Sequence, residues 1–433
     1  MSVLKTAAAL LAVALAVFAL GRTPPPAARP NVVVVLVDTL RADHLPAYGY
    51  ARDTAPFLTR LASRGVVFSA AQSTSAWTAP ATASLFTSLY PFQHRVDTGF
   101  MVTTQMREIG QEIRLNRLPQ DVPTLPEVMQ AAGYTTFGIT ANVNIGELMG
   151  FARGFGRFRH FPEDVPATEL GEKAKQWERG IRGAKPYFLY MHFLDPHAPY
   201  RENAPWYAAT GDEARDREAV YDSEIRLVDS VLEELFRSLE WGRDTVLIVL
   251  ADHGEEFGDH GGKGHGQTLF SEMLHVPLIV HAPGRFAPRR VAEPVSLLDV
   301  LPTLRDLAGA PAEPRDEGRS LRALLEGGAQ DPERRSLLAH LIRRDQQDRL
   351  LHSVRRGRWK YIEGSRDPAL LFDLARDPGE KANLVEAQAV LAGHLRENLR
   401  GMVRGSKTFA GGQGTTIMDP ATAETLRSLG YVH

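Results

Sequence analysis

Residues 31–40 read NVVVVLVDTL, and this stretch decides the fold of the chain. From Val32 to Val37 every residue is apolar, and all but Leu36 are β-branched. A strand of this kind is apolar on both faces, which is typical of the middle of a parallel sheet that helices cover. The run ends at Asp38, where a buried carboxylate needs a positive charge or a hydrogen-bond donor beside it. A helix cap or a pair with Arg41 would meet that need without any catalytic role.

Further apolar segments and helical patterns alternate along the chain. The apolar segments lie at residues 134–139, 187–193, 245–250 and 276–280. The helical patterns lie at residues 54–65, 124–133 and 213–239, with Thr54 and Thr124 as the predicted N-caps. This alternation predicts an α/β sandwich with a mainly parallel central sheet. Its functional site is expected at the carboxyl ends of the strands.

The 433 residues divide into a leader, a catalytic region and a smaller C-terminal region. Residues 1–21 hold an uncharged apolar run typical of a signal peptide or an N-terminal anchor, and residues 22–30 form a proline-rich linker. Export to the periplasm, the cell surface or the medium is expected, with a membrane tether in the anchor case. The catalytic domain is assigned to 31–330. Alternating strands predict an antiparallel subdomain at 331–410, followed by a tail of loop and short helix at 411–433.

Composition excludes several classes of function. The chain has no cysteine, which rules out disulfides, thiol nucleophiles, Cys-ligated metals and any cofactor made by oxidising a cysteine. Its 50 Lys and Arg residues nearly balance 52 Asp and Glu residues, so nothing suggests a nucleic-acid partner. Hydrophobic residues at 43% and charged residues at 24% are typical of a globular protein.

Three further segments carry candidate chemistry. Asp252 and His253 follow the apolar segment 245–250, and a carboxylate next to an imidazole at a strand end suits a divalent cation. An ordinary hydrogen-bonded His–Asp pair is the alternative. The loop 73–82 is rich in hydroxyls and opens into a helix, whose N-terminus suits a phosphate or sulfate oxygen, although these hydroxyls could simply cap the helix. Histidines in 192–197 and 260–266 could ligate a metal, hold an anion or protonate a leaving group, or lie in a plain surface loop.

In combination and order, these segments resemble the sulfatase family of the alkaline phosphatase superfamily. The resemblance extends over residues 31–385 and is carried by NVVVVLVDTLRADHLPAYGY, TAPATASLFTSLYP, YFLYMHFLDPHAPY and VLIVLADHGEEFGDHGGKGHG, among other segments. It implies an alkaline-phosphatase-like α/β core with a small C-terminal antiparallel subdomain.

The resemblance also implies roles for individual residues. The implied metal ligands are Asp38, Thr78, Asp252 and His253. Thr78 lies at the position of the nucleophile. The implied histidines for anion binding or leaving-group protonation are His197 and His265, and the weaker candidates for substrate contact are Lys263 and Asn142.

The sequence departs from the family pattern at three positions. Thr78 replaces the cysteine that sulfatases convert to formylglycine, so no formylglycine forms here. Thr82 replaces the arginine of the same motif, and Thr39 replaces a second aspartate after the first strand. Losing that oxygen ligand and gaining His253 favours manganese or zinc, with calcium as the alternative.

A site with a threonine nucleophile and Asp, Asp and His ligands resembles those of lipoteichoic-acid synthases, phosphoethanolamine transferases and nucleotide phosphodiesterases. This resemblance favours phosphorus as the reacting centre. We therefore expect an exported metal-dependent hydrolase of phosphodiesters or phosphonate esters, with sulfuric esters as the less favoured substrates. The alternatives are a transferase that passes the phospho-group to a glycan or lipid, and an inactive homologue that binds a glycan.

Overall fold

The computed structural model describes residues 29–97, 112–162, 164–329, 331–343, 349–409 and 412–417. The predicted leader and most of the tail therefore lie outside the described residues. Within the ranges above, no helix combines the length and the apolar character that a membrane span requires.

The strands are β1 (Asn31–Val37), β2 (Val66–Phe68), β3 (Ala71–Gln72), β4 (Glu112–Arg117), β5 (Thr135–Thr140), β6 (Arg157–His160), β7 (Tyr187–Phe193), β8 (Thr245–Leu250), β9 (Leu278–His281), β10 (Arg289–Val291), β11 (Val295–Ser296), β12 (Ser336–Arg343), β13 (Arg349–Arg356), β14 (Trp359–Gly364), β15 (Leu370–Asp373) and β16 (Gly412–Ile417). The α-helices are α1 (Pro56–Ser63), α2 (Thr78–Thr87), α3 (Pro91–His94), α4 (Leu125–Ala131), α5 (Ala167–Gln176), α6 (Glu178–Gly183), α7 (Glu213–Ser238), α8 (Ser271–Leu274), α9 (Val300–Leu307), α10 (Arg322–Leu325) and α11 (Ala389–Gly405).

The central sheet of the described chain has the strand order β10-β2-β9-β8-β1-β7-β5-β6. The strand β1 lies inside it, parallel to both of its neighbours, and its six residues from Val32 to Val37 are at most 1% exposed. β9 is the antiparallel member, since it pairs antiparallel with β8 and β2. The predicted α/β sandwich with a mainly parallel sheet is therefore confirmed.

The register of β1 explains why the candidate residues meet at one edge. Leu36 lies beside His192 of β7 and beside Leu250 of β8, so the three strands end together. Asp38 leaves the sheet one step later, and its N–H donates to the carbonyl of Phe193 at 3.0 Å. Because these strands are parallel, their carboxyl ends deliver side chains to the same space.

The two predicted helix caps behave differently. Thr124 is the N-cap of α4, as the sequence predicts, and it also forms a capping box with Glu127. Thr54 does not cap α1: the N-cap is Ala55, and the Thr54 hydroxyl donates instead to the carbonyl of His44 at 2.6 Å. That prediction was wrong because the carboxylate of Asp229, on α7, accepts from the N–H groups of Phe57 and Leu58 at 2.9 and 2.8 Å and satisfies the start of the helix.

The C-terminal region contains the predicted antiparallel sheet, in the order β12-β13-β14-β15, with α11 packed against it. Its first strand contacts the loop before α2. The N–H of His340 donates to the carbonyl of Thr74 at 2.9 Å, and the Ser75 hydroxyl donates to the carbonyl of His340 at 2.8 Å. The division into 31–330 and 331–410 stays a prediction.

One expectation about the tail is corrected. Residues 412–417 were expected in a loop, but they form β16, which pairs antiparallel with β4. A run rich in Gly and Thr carries little apolar alternation, so its pairing depends on the partner strand and not on its own pattern.

Candidate active site

The site begins where β1 ends. Asp38 is fully buried, and the next residue, Thr39, has a backbone φ of 54°, in the left-handed region that residues with a Cβ seldom adopt. Tyr221 of α7 holds this turn, because its hydroxyl donates to the carbonyl of Thr39 at 2.8 Å. The turn directs the chain away from the sheet immediately after the carboxylate.

Thr78 is the first residue of α2 and is 1% exposed. Its Oγ1 lies 3.4 Å from Oδ1 of Asp38 and 3.3 Å from Nε2 of His253. The N-cap, Trp77, makes no side-chain capping bond, so the first N–H groups of the helix are not capped by it. The loop before α2 is hydrogen-bonded to the loop 260–266, because the N–H of Gly266 donates to the carbonyl of Ala76 at 2.8 Å.

Asp252 and His253 follow β8 and complete the cluster. Nδ1 of His253 donates to the carbonyl of Gly254 at 2.9 Å, which leaves the lone pair of Nε2 facing the other site residues. That Nε2 lies 3.5 Å from Oδ1 of Asp38 and 3.7 Å from Oδ2 of Asp252. The four predicted ligands Asp38, Thr78, Asp252 and His253 therefore converge.

The two carboxylates have opposite electrostatic environments. Burial raises the pKa of Asp38, but the hydrogen bond from His192 and the neighbouring imidazoles of His197 and His253 outweigh it and hold that pKa well below its usual range. Burial, and then the charge of Asp38, raise the pKa of Asp252 far above its usual value. Burial and the charge of His265 lower the pKa of His253 to about 3, so its ring is neutral.

This donor set fits a divalent cation. Oδ2 of Asp252 is buried and has no hydrogen-bond partner within the described part of the chain. Two carboxylates, a hydroxyl and a neutral imidazole lone pair are donors that manganese or zinc accepts. A cation would also compensate the buried negative charge that raises the pKa of Asp252.

His192 of β7 is among the candidate histidines of 192–197, but no individual role was predicted for it. Its Nε2 lies 3.2 Å from Oδ2 of Asp38, and one ligand atom each of Asp38, His192 and Asp252 lie within 4.8 Å of one another. The available signal was a single imidazole inside an otherwise apolar or aromatic strand, one strand away from Asp38.

His197 and His265 lie beside the cluster. The ring centroids of His265 and His253 are 4.8 Å apart, as are those of His265 and His197. Nδ1 of His265 lies 3.1 Å from Oε1 of the buried Glu255, and although burial opposes it, the charge of Glu255 raises the pKa of His265. Lys263 lies on the same loop with an exposed side chain.

Asn142 follows β5 and is buried. Its Nδ2 donates to Oδ2 of Asp38 at 2.6 Å, and its Oδ1 accepts from the N–H of Asn144 at 2.9 Å. The structure thus joins Asn142 to the cluster through a carboxylate of the protein itself.

Known proteins resemble this chain over most of its length. A family model described as sulfatase matches residues 30–310, and one described as the C-terminal part of N-sulphoglucosamine sulphohydrolase matches residues 258–404. A Δ4,5-hexuronate-2-O-sulfatase of Bacteroides thetaiotaomicron is 25% identical, covering 83% of this chain and 85% of that protein. The multifunctional alkaline phosphatase superfamily protein PehA of Trinickia caryophylli is 26% identical, covering 84% and 93%.

The fold also has solved counterparts. A phosphonate monoester hydrolase of Agrobacterium radiobacter superposes with a TM-score of 0.73 at 22% identity, covering 87% of this chain and 95% of that one. The sheet, the site at its carboxyl edge and these similarities define a hydrolase of the alkaline phosphatase superfamily. Within that superfamily, the chain belongs to the sulfatase family.

Proposed function

We propose that this chain is an exported, metal-dependent hydrolase of phosphodiesters or phosphonate esters, with Thr78 as its nucleophile. One observation carries the proposal: Oγ1 of Thr78 lies within 3.5 Å of the Asp38 carboxylate and of Nε2 of His253. A buried hydroxyl at a helix N-terminus, next to carboxylates and an imidazole lone pair, is arranged for activation as a nucleophile.

The residues that would hold the cation are Asp38, Thr78, Asp252 and His253, with manganese or zinc favoured over calcium because an imidazole is among the donors. Bound there, the cation would lower the pKa of the Thr78 hydroxyl and neutralise charge that develops on the substrate oxygens.

The residues then divide the chemistry as follows. Oγ1 of Thr78 loses its proton to solvent and bonds to phosphorus, while the bond from phosphorus to the leaving oxygen breaks. His197 or His265 donates a proton to that oxygen and regains one from solvent. Water then opens the phospho-threonine: its hydroxyl stays on phosphorus and its proton returns to Thr78.

Two features support phosphorus as the reacting centre. Thr78 stands where sulfatases carry the residue that they convert to formylglycine, and a threonine cannot be converted to that aldehyde. A solved protein with the same fold is named a phosphonate monoester hydrolase. Sulfuric esters are the second candidate, because a relative named a hexuronate sulfatase matches 83% of the chain.

The test is a panel of aryl phosphodiesters, phosphonate esters, phosphomonoesters and sulfates, each assayed with manganese, zinc or calcium. We expect the diester or phosphonate to react fastest, and Thr78→Ala to lose roughly 10⁴-fold or more in kcat. Thr87→Ala is the matched control, since Thr87 is a buried threonine at the other end of α2. Full turnover by Thr78→Ala would contradict the proposal.

Two further readouts sharpen this test. Rapid acid quenching should trap one phospho-group on Thr78, detectable by mass spectrometry of the digested protein. A product ester formed on an added alcohol, in place of free phosphate or phosphonate, would identify a transferase. A protein that binds no divalent ion and turns over no ester would instead be a binding homologue.

Export is proposed from residues 1–21 alone. Cell fractionation of the full-length chain tests it, and the mass of the mature protein distinguishes a cleaved signal from a retained anchor. Recovery of the full-length protein in the cytosol would contradict it.

A further inference from the structure

The two oxygens of Asp38 have different neighbours. Oδ1 lies 3.5 Å from Nε2 of His253 and faces that imidazole lone pair, while Oγ1 of Thr78 is almost equidistant from Oδ1 at 3.4 Å and Oδ2 at 3.5 Å. Oδ2 instead receives two donors: Nδ2 of Asn142 at 2.6 Å and Nε2 of His192 at 3.2 Å. One oxygen is thus occupied by the protein while the other is presented to the site.

The orientation of the Asn142 amide is fixed by its surroundings. Its Oδ1 accepts from the N–H of Asn144, which can only donate, so the amide nitrogen must be the atom that faces Asp38. The main chain is held as well, because the Asn142 carbonyl accepts from the N–H of Ile145 at 2.8 Å and lies 3.0 Å from Nε2 of His160. Gly146 makes this packing possible, since a Cβ there would lie 2.5 Å from the His160 ring.

The two ring nitrogens of His192 have different neighbours. The Tyr190 hydroxyl lies 3.2 Å from Nδ1, and Oδ2 of Asp38 lies 3.2 Å from Nε2. Because an ionised carboxylate only accepts, Nε2 carries a hydrogen and donates it to Asp38. His192 therefore presents a hydrogen to the site, whereas His253 presents a lone pair.

We propose that Asn142 and His192 are positioning residues, which hold Oδ2 of Asp38 so that Oδ1 points toward the cation. This inference rests on the metal-dependent function proposed above and assigns Asn142 to the protein's own carboxylate instead of to the substrate. A group that hydrogen-bonds a metal ligand in this way fixes the orientation of that ligand. Removal of the hydrogen-bonding group typically weakens metal binding by about 10- to 100-fold.

The primary test measures the dissociation constants of manganese and zinc for the purified, metal-free full chain by titration calorimetry. Asn142→Ala should weaken binding by about 10- to 100-fold. Asn31→Ala is the matched control, because Asn31 is a buried asparagine at the opposite end of β1, and it should bind metal as the unmodified chain does. Equal metal affinity for Asn142→Ala and Asn31→Ala would overturn the proposal.

Kinetics separate positioning from substrate contact. With the metal raised to saturation, Asn142→Ala should regain most of its turnover with an unchanged KM for the ester. A raised KM at saturating metal, with metal affinity intact, would show that Asn142 contacts the substrate and would overturn the inference while leaving Thr78 as the nucleophile. If the unmodified chain binds no divalent ion, the proposed function itself fails.

His192 needs a variant that preserves packing. His192→Gln keeps a side-chain N–H donor and should restore most of the metal affinity that His192→Leu loses. The absorption spectrum of the cobalt-substituted protein gives a second readout: positioning predicts an unchanged ligand-field spectrum in His192→Gln. A changed spectrum would make His192 a ligand and would overturn its positioning role.

Discussion

Asp299 and Asp252 are both fully buried, yet the protein treats the two carboxylates in opposite ways. Asp299 accepts from both terminal nitrogens of Arg335 and from the N–H groups of Ser296 and Arg319. Oδ2 of Asp252 has no hydrogen-bond partner within the described residues, and another carboxylate, Asp38, lies nearby. The described residues therefore compensate the charge of Asp299, whereas they place no cation or hydrogen-bond donor at Oδ2 of Asp252.

A third carboxylate limits how far that contrast can be extended. Oε2 of the buried Glu224 also has no hydrogen-bond partner among the described residues, but no imidazole lone pair or nucleophile is directed at it in the contacts described above. Burial and then the charge of Asp195 raise its pKa to about 9, so it retains a proton at neutral pH. An unpaired oxygen therefore indicates a metal site only where other donors converge on it.

The largest expected effect is on catalysis. Asp252→Asn keeps the shape of the side chain but removes one ligand charge, and we expect activity to fall about 10⁴-fold, which is about 5.4 kcal/mol in the barrier at 1.36 kcal/mol per decade. The metal-free fold should be as stable as before or more so, because the amide carries no charge and avoids the cost of burying a carboxyl group beside Asp38. Steady-state kinetics and urea unfolding of the metal-free protein check the two halves; a destabilised fold with normal activity would break the comparison.

Asp299→Asn should do the reverse. It leaves the largely buried Arg335 without its carboxylate, and breaking a buried pair in this way costs about 3–5 kcal/mol of unfolding free energy. The folded fraction of the Asp299→Asn variant should keep the kcat of the unmodified chain. Urea unfolding measures the loss, with Asp331→Asn as the control: its partner Arg334 is 84% exposed, and a surface pair is worth at most about 1 kcal/mol.

Metal binding should stabilise only the chain with an intact site. Manganese at 100 times its dissociation constant is expected to raise the unfolding free energy by about 2.7 kcal/mol. Asp299→Asn should show the same increment from its lower baseline, whereas Asp252→Asn should show little. Thermal unfolding with and without a chelator measures the increment. An equal increment in Asp252→Asn would show that the metal binds at a different site.

The smallest expected effect is the pH dependence that Glu224 contributes. Its folded-state pKa of about 9 lies above the ordinary value of 4.5, so the folded chain binds this proton more tightly than the unfolded chain. The contribution of Glu224 to the free energy of unfolding is therefore fully present below about pH 4.5 and is lost as the pH rises toward 9. Glu224→Gln should flatten that decline and raise the melting temperature at pH 8 by a few degrees.

Melting curves at pH 5, 7 and 9 check this last prediction. Glu213→Gln, a substitution at an exposed position of the same helix, is the control and should follow the unmodified chain. A parallel decline in Glu224→Gln would show that another group carries the pH dependence.

The sheet and the cluster of Asp38, Thr78, Asp252 and His253 were accessible from sequence because single runs encode them. The β-branched run before Asp38 predicts a central strand, and parallel strands must end at one edge, which joins Asp38 to Asp252. The role of Asn142 was not accessible in this way. It depends on which way the side-chain amide faces, which the N–H of Asn144 decides, and on the main-chain carbonyl that the ring of His160 contacts.

The other missed features share this dependence on distant partners. Thr54 fits a local capping pattern, but its hydroxyl bonds to the carbonyl of His44, and β16 pairs with the distant strand β4. His192 has a polar ring in an apolar strand, and only the register of β7 against β1 shows that it faces Asp38.

The hydrogen bonds between His340 and the loop at Thr74 and Ser75 constrain how the C-terminal sheet can change in evolution. A strand from the last quarter of the chain supports the backbone that leads into Thr78, so the C-terminal sheet and the rest of the chain are not interchangeable modules. Both bonds use the backbone of His340, so a replacement sheet would have to place the backbone of β12 at the same position beside that loop. Lineages that diversify this enzyme are thus expected to vary its surface loops and to retain β12 together with that loop.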